Sequence, residues 1–175
     1  ASLQAGVLSE YVGFTAEEVM DLCAENGIDY DECRRWYDGY RLKGFEIYNP
    51  ESVVQSILNE TFGSYWGRTS SYEVISDRIS QNFEGTKDAV IRMLAGESVD
   101  INVTGFLNTM TSFVTMDDLF TYLIHVGYLA YNEKDGTCRI PNREVQQEWF
   151  NALRKVPDEY AITSQIIQDS KNLLM

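Results

Sequence analysis

Adjacent carboxylates at Glu17-Glu18 and Asp158-Glu159, adjacent hydroxyls at Ser70-Ser71, one imidazole at His125 and three thiols at Cys23, Cys33 and Cys138 could serve acid–base, nucleophilic or ligating chemistry. The surrounding pattern gives each of them another use. The paired acids stand at helix starts, where first-turn carboxylates meet the positive end of the helix dipole. Ser70 and Ser71 have no basic partner nearby in sequence and read as an N-cap. His125 lies in an apolar helix, in a packed or capping role. Three cysteines this far apart make neither a disulfide framework nor a zinc site, and with Cys23 on an apolar helical face they read as buried reduced thiols of a cytosolic protein.

Phosphate chemistry fares no better. A nucleotide-cradling loop needs Gly, four residues, then Gly-Lys-Ser/Thr, so that backbone amides wrap the phosphates and the lysine supplies charge. The chain contains no Gly-Lys dipeptide. The run Phe113-Val114-Thr115-Met116-Asp117-Asp118 looks like an apolar strand ending in magnesium-binding acids, but without that loop Thr115 and Asp118 read as a capping box. The expectation is a chain that is not itself an enzyme and holds no cofactor or metal.

A dense aromatic run remains: Trp36-Tyr37-Asp38-Gly39-Tyr40-Arg41, then Ile47-Tyr48-Asn49-Pro50, then Tyr65-Trp66. It overlaps a change of sign. Residues 1 to 33 hold eight acids and no Lys or Arg, whereas residues 34 to 44 hold Arg34, Arg35, Arg41 and Lys43 against Asp38 alone. This basic island reads either as a solvated face paired with the acids before it or as a contact for a phosphate or a partner's carboxylates. The rings read either as a peptide-binding groove or as a core whose Tyr hydroxyls and Trp indoles tie down loops. A net charge of −13 and a pI near 4.4 argue against broad contact with nucleic-acid phosphates. The longest apolar stretch, Phe120 to Ala130, is broken by Thr121, Tyr122, His125 and Gly127 and falls short of a membrane span.

The elements that must position these residues follow from local signals. Thr15 with Glu18 starts a helix that stops at Gly27, and Asp29 with Glu32 starts another that breaks at Asp38-Gly39. Tyr40–Leu42 and Phe45–Tyr48 form a hairpin across Lys43-Gly44. Asn49-Pro50 opens a helix to about Asn59 that buries Val53, Val54, Ile57 and Leu58. Ser70 with Glu73 and Thr86 open two more helices, the latter ending at Gly96. Val99, Ile101 and Val103 alternate as an extended segment. Thr115 opens a helix closing at Gly127, residues 128–131 and 137–140 form a hairpin, and Asn142 caps a helix to about Arg154 with Val145, Trp149 and Leu153 on one side. A final helix covers Thr163–Leu173. The fold class expected is α+β and mainly helical: residues 1–110 as a helical lid-like region with a short hairpin, and residues 111–175 as a winged-helix-like region with a C-terminal helix.

The order Gly13-Phe14-Thr15-Ala16-Glu17-Glu18-Val19, Trp36-Tyr37-Asp38-Gly39-Tyr40, Tyr48-Asn49-Pro50-Glu51-Ser52-Val53, Tyr65-Trp66 with Thr69-Ser70-Ser71, then Gly127-Tyr128-Leu129 and Ile140-Pro141-Asn142-Arg143-Glu144-Val145 resembles the AAA-ATPase-like family of bacterial proteins. The resemblance covers residues 11 to 150. It implies a P-loop ATPase core ahead of this segment, with ATP and Mg bound there, and commonly a C-terminal nuclease-like domain of the PD-(D/E)XK type. Neither the Walker motifs nor an Asp followed by Glu-x-Lys occurs here, so neither activity falls on a residue of this chain. By the resemblance Trp36, Asp38, Gly39, Tyr40 and Arg41, together with Tyr48, Asn49 and Trp66, would shape a surface toward the ATPase core or a partner. The function expected is a non-catalytic, cytoplasmic lid or regulatory segment. The rivals are a protein-interaction module that binds a peptide or partner domain through an aromatic surface, and winged-helix DNA binding through Asn142 to Arg154, which the acidic balance opposes.

Overall fold

The computed structural model describes residues 13–42, 45–65, 83–103 and 113–155. The helices expected from Ser70 and from Thr163, the Lys43-Gly44 turn and Trp66 lie outside them. The described residues form a mixed α+β fold with six helices and two three-stranded antiparallel sheets. They group into two compact units, one holding residues 13–65 and 141–144, the other the rest.

The first unit runs β1 (Phe14–Thr15), α1 (Ala16–Asn26), α2 (Tyr30–Tyr37), β2 (Tyr40–Leu42), β3 (Phe45–Tyr48) and α3 (Pro50–Leu58). Its boundaries follow the capping chemistry. Thr15 and Glu18 exchange both bonds of a capping box, Asp29 accepts from Glu32 N, and Asn49 accepts from Glu51 N with Pro50 at the first helical position. The expected hairpin forms and is extended by β1, giving the order β1-β3-β2. A Cβ at Gly13 would collide with the Ile47 side chain and stand 2.7 Å from the Tyr48 carbonyl oxygen, so only glycine lets the chain enter β1 this close to β3. The core is Val19, Cys23, Cys33, Tyr37, Tyr48, Val53 and Tyr65.

One expectation for α3 fails. Its buried face is Ser52, Val53 and Ser56, whereas Val54 is 38% and Leu58 71% exposed. The helix is rotated from its most apolar orientation because Ser52 is drawn inward by a hydrogen bond to the buried Glu144 carboxylate.

The second unit contains α4 (Thr86–Leu94), β4 (Val99–Asp100), α5 (Met116–His125), β5 (Ala130–Asn132), β6 (Thr137–Arg139) and the greater part of α6 (Arg143–Lys155), whose first two residues group with the first unit. Helix α5 starts with the Thr115–Asp118 capping box. Helix α4 starts without a side-chain cap, following Gly85, and the Thr86 hydroxyl is buried with no hydrogen-bond partner. The sheet order is β4-β6-β5, with Val99 opposite Cys138 and Tyr131 opposite Cys138 on the other side. Val145, Trp149 and Leu153 form the buried stripe of α6, and the Trp149 indole donates to the Tyr128 carbonyl at 3.1 Å. Gln146 reaches the C-terminal end of α4 through the Leu94 carbonyl at 2.9 Å.

Burial of whole rings outweighs local capping in this arrangement. Trp149→Ala should lower stability by about 3–5 kcal/mol and Thr15→Ala by about 1 kcal/mol in equilibrium urea unfolding. Equal losses at the two positions would show that the second unit's core does not rest on Trp149.

Candidate functional site

Helix α2 buries Cys33 and Tyr37, one turn apart, so Arg34 and Arg35 emerge on its outer side. Across the hairpin, Arg41 and Glu46 are directly opposed in register. Glu46 Oε1 accepts from Arg41 Nη2 at 3.4 Å and from Arg34 Nη2 at 3.5 Å, while Arg34 Nε lies 3.4 Å from Asp38 Oδ2. Glu32 makes a second, tighter hub. It accepts from Arg35 Nη1 and Arg143 Nη1, both at 2.7 Å, and from the Trp36 indole at 3.1 Å.

Four guanidiniums are thus gathered on the first unit against three carboxylates. All four side chains are at least half exposed. The Arg35 hydrogen bond is the largest influence holding the Glu32 carboxyl below its usual range, and the bond to Asp38 raises the Arg34 guanidinium. Exposed pairs of this kind add little stability. They leave each guanidinium at least half exposed beside a carboxylate, and exposed guanidiniums are chemically suited to oxyanions. Arg41 is the most open, at 69%, and its bond to Glu46 is long, at 3.4 Å. On α1 the sign is opposite: Glu17, Glu18, Asp21 and Glu25 are all exposed, and no basic residue stands in its last turn.

The other residues singled out by sequence build the frame. The Asp38 backbone N–H closes α2 onto the Arg34 carbonyl, and its side chain accepts from Gly39 N at 2.6 Å. Gly39 has φ +121°, and a Cβ there would run into the Pro141 carbonyl, so only glycine fits between β2 and residue 141. Tyr40 is half-buried in β2, and Asn49 is the α3 cap. Trp36 is held by Glu32, its ring 6.3 Å from that of Tyr37. Tyr48 is in the core, its hydroxyl 3.2 Å from that of Tyr30.

The rings serve as loop anchors. Tyr37 OH donates to the Gly63 carbonyl and accepts from Gly63 N, and Tyr65 OH donates to the Thr61 carbonyl. Beneath them lies the Glu144 carboxylate, which accepts from Ser52 Oγ and Tyr65 N, both at 2.8 Å. Arg143, Glu144, Glu32 and Glu46 carry much of this geometry, and sequence reasoning placed none of them in a site, reading Glu32 only as a capping partner of Asp29. The one available signal was the Pro141-Asn142-Arg143-Glu144 helix start, which places two charged residues immediately before the apolar stripe of α6. Among the described residues, no group of three or more His, Cys, Asp or Glu side chains could hold a metal ion, and no helix is long and apolar enough to cross a membrane.

Buried phenols and thiols give this framework an alkaline limit. Desolvation is the largest cause raising Tyr37, Tyr48 and Cys33 above their ordinary values, and it pushes Cys138 up to about 12. The folded state therefore keeps protons that the unfolded chain releases. Their stabilisation is complete below the unfolded values, near 9 for the thiols and 10 for the phenols, and is lost as pH rises beyond them. Stability should fall by up to about 1.4 kcal/mol per pH unit for each such group. Tyrosinate absorbance followed against circular dichroism should show the Tyr37 and Tyr48 fraction ionising together with unfolding, and ionisation of every phenol in an intact fold would contradict this.

No protein-family model matches the chain, and no solved structure does. The chain is 31% identical over 170 residues to a protein of Azotobacter chroococcum mcd 1 named "Uncharacterized protein in vnfD 5'region". The aligned stretch covers 90% of this chain and 31% of that protein, so the chain spans about a third of the length of the relative it matches.

Proposed function

We propose that this chain is a non-catalytic lid or regulatory segment of an AAA-ATPase-like protein, coupling the nucleotide state of a P-loop core elsewhere in the polypeptide to partner domains. The observation that carries the reading is the ordered arginine face of Arg34, Arg35, Arg41 and Arg143, set on a buried frame in a strongly acidic chain. A surface whose donors point outward from fixed positions can change partners with the charge state of a neighbouring domain. ATP and Mg belong in this reading to the core, and the segment supplies the responding surface. Its alignment inside a much longer relative fits a part of a larger polypeptide.

The region from residue 111 on is read as winged-helix-like. Helix α4 and strand β4 precede it, helix α5 and the β5–β6 hairpin follow within it, and β4 pairs with the second hairpin strand. Helix α5 opens with Asp117 and Asp118 and has no Lys or Arg, a sign that disfavours nucleic acid and favours a protein partner. Among the described residues, Tyr37, Tyr48 and Tyr65 are spent on the core and its loops, so the contact we propose is the arginine face instead of an aromatic groove.

In the longer polypeptide, Arg34→Ala combined with Arg41→Ala should reduce ATPase turnover or shift nucleotide affinity by about fivefold or more while the circular dichroism spectrum and melting point hold. Unchanged turnover together with unchanged nucleotide affinity would remove the coupling role.

A further inference from the structure

Three dipeptides of this chain join an Asp or Asn to glycine: Asn26-Gly27, Asp38-Gly39 and Asp135-Gly136. Each can close a five-membered imide, because glycine's missing Cβ lets the side-chain carbonyl carbon approach the following peptide nitrogen. The fold treats the three differently. At the end of α1, Gly27 N bonds to the Cys23 carbonyl and the Asn26 amide donates back to the Leu22 carbonyl at 2.8 Å, so both groups are committed elsewhere. In the β5–β6 turn, Gly136 N bonds to the Asn132 carbonyl at 2.9 Å and the Asp135 carboxylate accepts from the Asn132 side chain. At Asp38-Gly39 the two groups face each other. Asp38 Oδ1 stands 2.6 Å from Gly39 N, and the outer oxygen, Oδ2, lies 3.4 Å from Arg34 Nε. The carboxyl is folded over the following nitrogen and held from its far side, the near-attack arrangement that an intramolecular condensation requires. The Asp38 side chain is 15% exposed, so water reaches it.

We infer that Asp38-Gly39 is a spontaneous modification site, at which the fold directs succinimide formation and isomerisation of Asp38 to isoaspartate. Gly39 N, giving its proton to solvent, attacks Cγ of the protonated Asp38 carboxyl. The N–Cγ bond forms, a Cγ–O bond breaks, and one water leaves. Hydrolysis of the ring returns that water. Addition at Cγ restores aspartate, whereas addition at the backbone carbonyl carbon breaks its bond to Gly39 N and leaves isoaspartate. Water is the only co-reactant. The product carries its main chain through Cγ, one carbon longer, with the carboxylate moved to Cα. Both the Arg34 contact and the seat of Gly39 against the Pro141 carbonyl depend on the original path, so isomerisation loosens the junction of α2 with β2. In the unfolded chain the ranking is different, because an amide side chain is attacked without first gaining a proton and Asn26-Gly27 therefore leads. The fold reverses that intrinsic order.

The test incubates the full chain in mildly acidic buffer below its melting point, with a parallel sample unfolded in urea, and maps isoaspartate by digestion and electron-transfer fragmentation. In the folded chain, position 38 should accumulate isoaspartate at least about fivefold faster than position 26 or 135, through a species one water lighter. In urea, position 26 should lead. The isomerised fraction, separated by ion exchange, should melt below the unmodified protein. Isoaspartate arising first at position 26 or 135 of the folded chain, an unmodified Asp38, position 38 leading in urea as well, or an isomerised fraction that melts no lower would each overturn the inference.

Discussion

The first unit closes on one buried oxygen. Glu144 Oε1 accepts from Ser52 Oγ, 92 residues away in sequence, and from Tyr65 N, 79 residues away. A carboxylate in an apolar core is costly unless its acceptor sites are filled, and a backbone N–H buried beside it is equally costly if left alone. Each group therefore requires the other. Around this point α3 takes its rotation, the segment through Tyr65 takes its path, and residues 141–144 are held against a unit whose other members lie far earlier in the chain. The Tyr37–Gly63 and Tyr65–Thr61 bonds extend the same arrangement along that segment.

Placing Glu144 also places its neighbour. Arg143 follows Pro141, whose carbonyl is pressed against Gly39, and its guanidinium reaches Glu32 on α2. The arginine face is in this sense a product of the buried network. Two of its members come from one helix, one from the adjacent strand, and the fourth arrives from the distant segment that Glu144 anchors. Individually the ion pairs are weak, and Glu46 is shared between two guanidiniums at long distances. Four of the chain's 14 Lys and Arg residues stand on this face, in a chain whose net charge is −13.

Sequence reading succeeded where the determining interactions are local. The caps at Thr15, Asp29, Asn49 and Thr115, the first hairpin and the Val145–Trp149–Leu153 stripe depend on residues within a few positions of each other and appear as read, while the second hairpin forms with its first strand shifted to Ala130–Asn132. The burial of Val54 and Leu58 was misread because an apolar side chain is a good guide to the inner face only when no buried polar group competes for it. Ser52 wins that competition through a partner outside the window. Strand β1 escaped notice because two residues carry no periodicity and its pairing is set by the close approach at Gly13. The arginine island was visible as composition, but its fourth member and both of its carboxylate hubs could be found only in three dimensions.

The claim that Glu144 and Ser52 organise the first unit is tested most directly by a double-mutant cycle on the full chain, with Ser52→Ala, Glu144→Ala and the double variant compared in equilibrium unfolding. The account predicts a coupling energy of about 1 kcal/mol or more between the two sites. Losses that simply add, with no coupling, would contradict it.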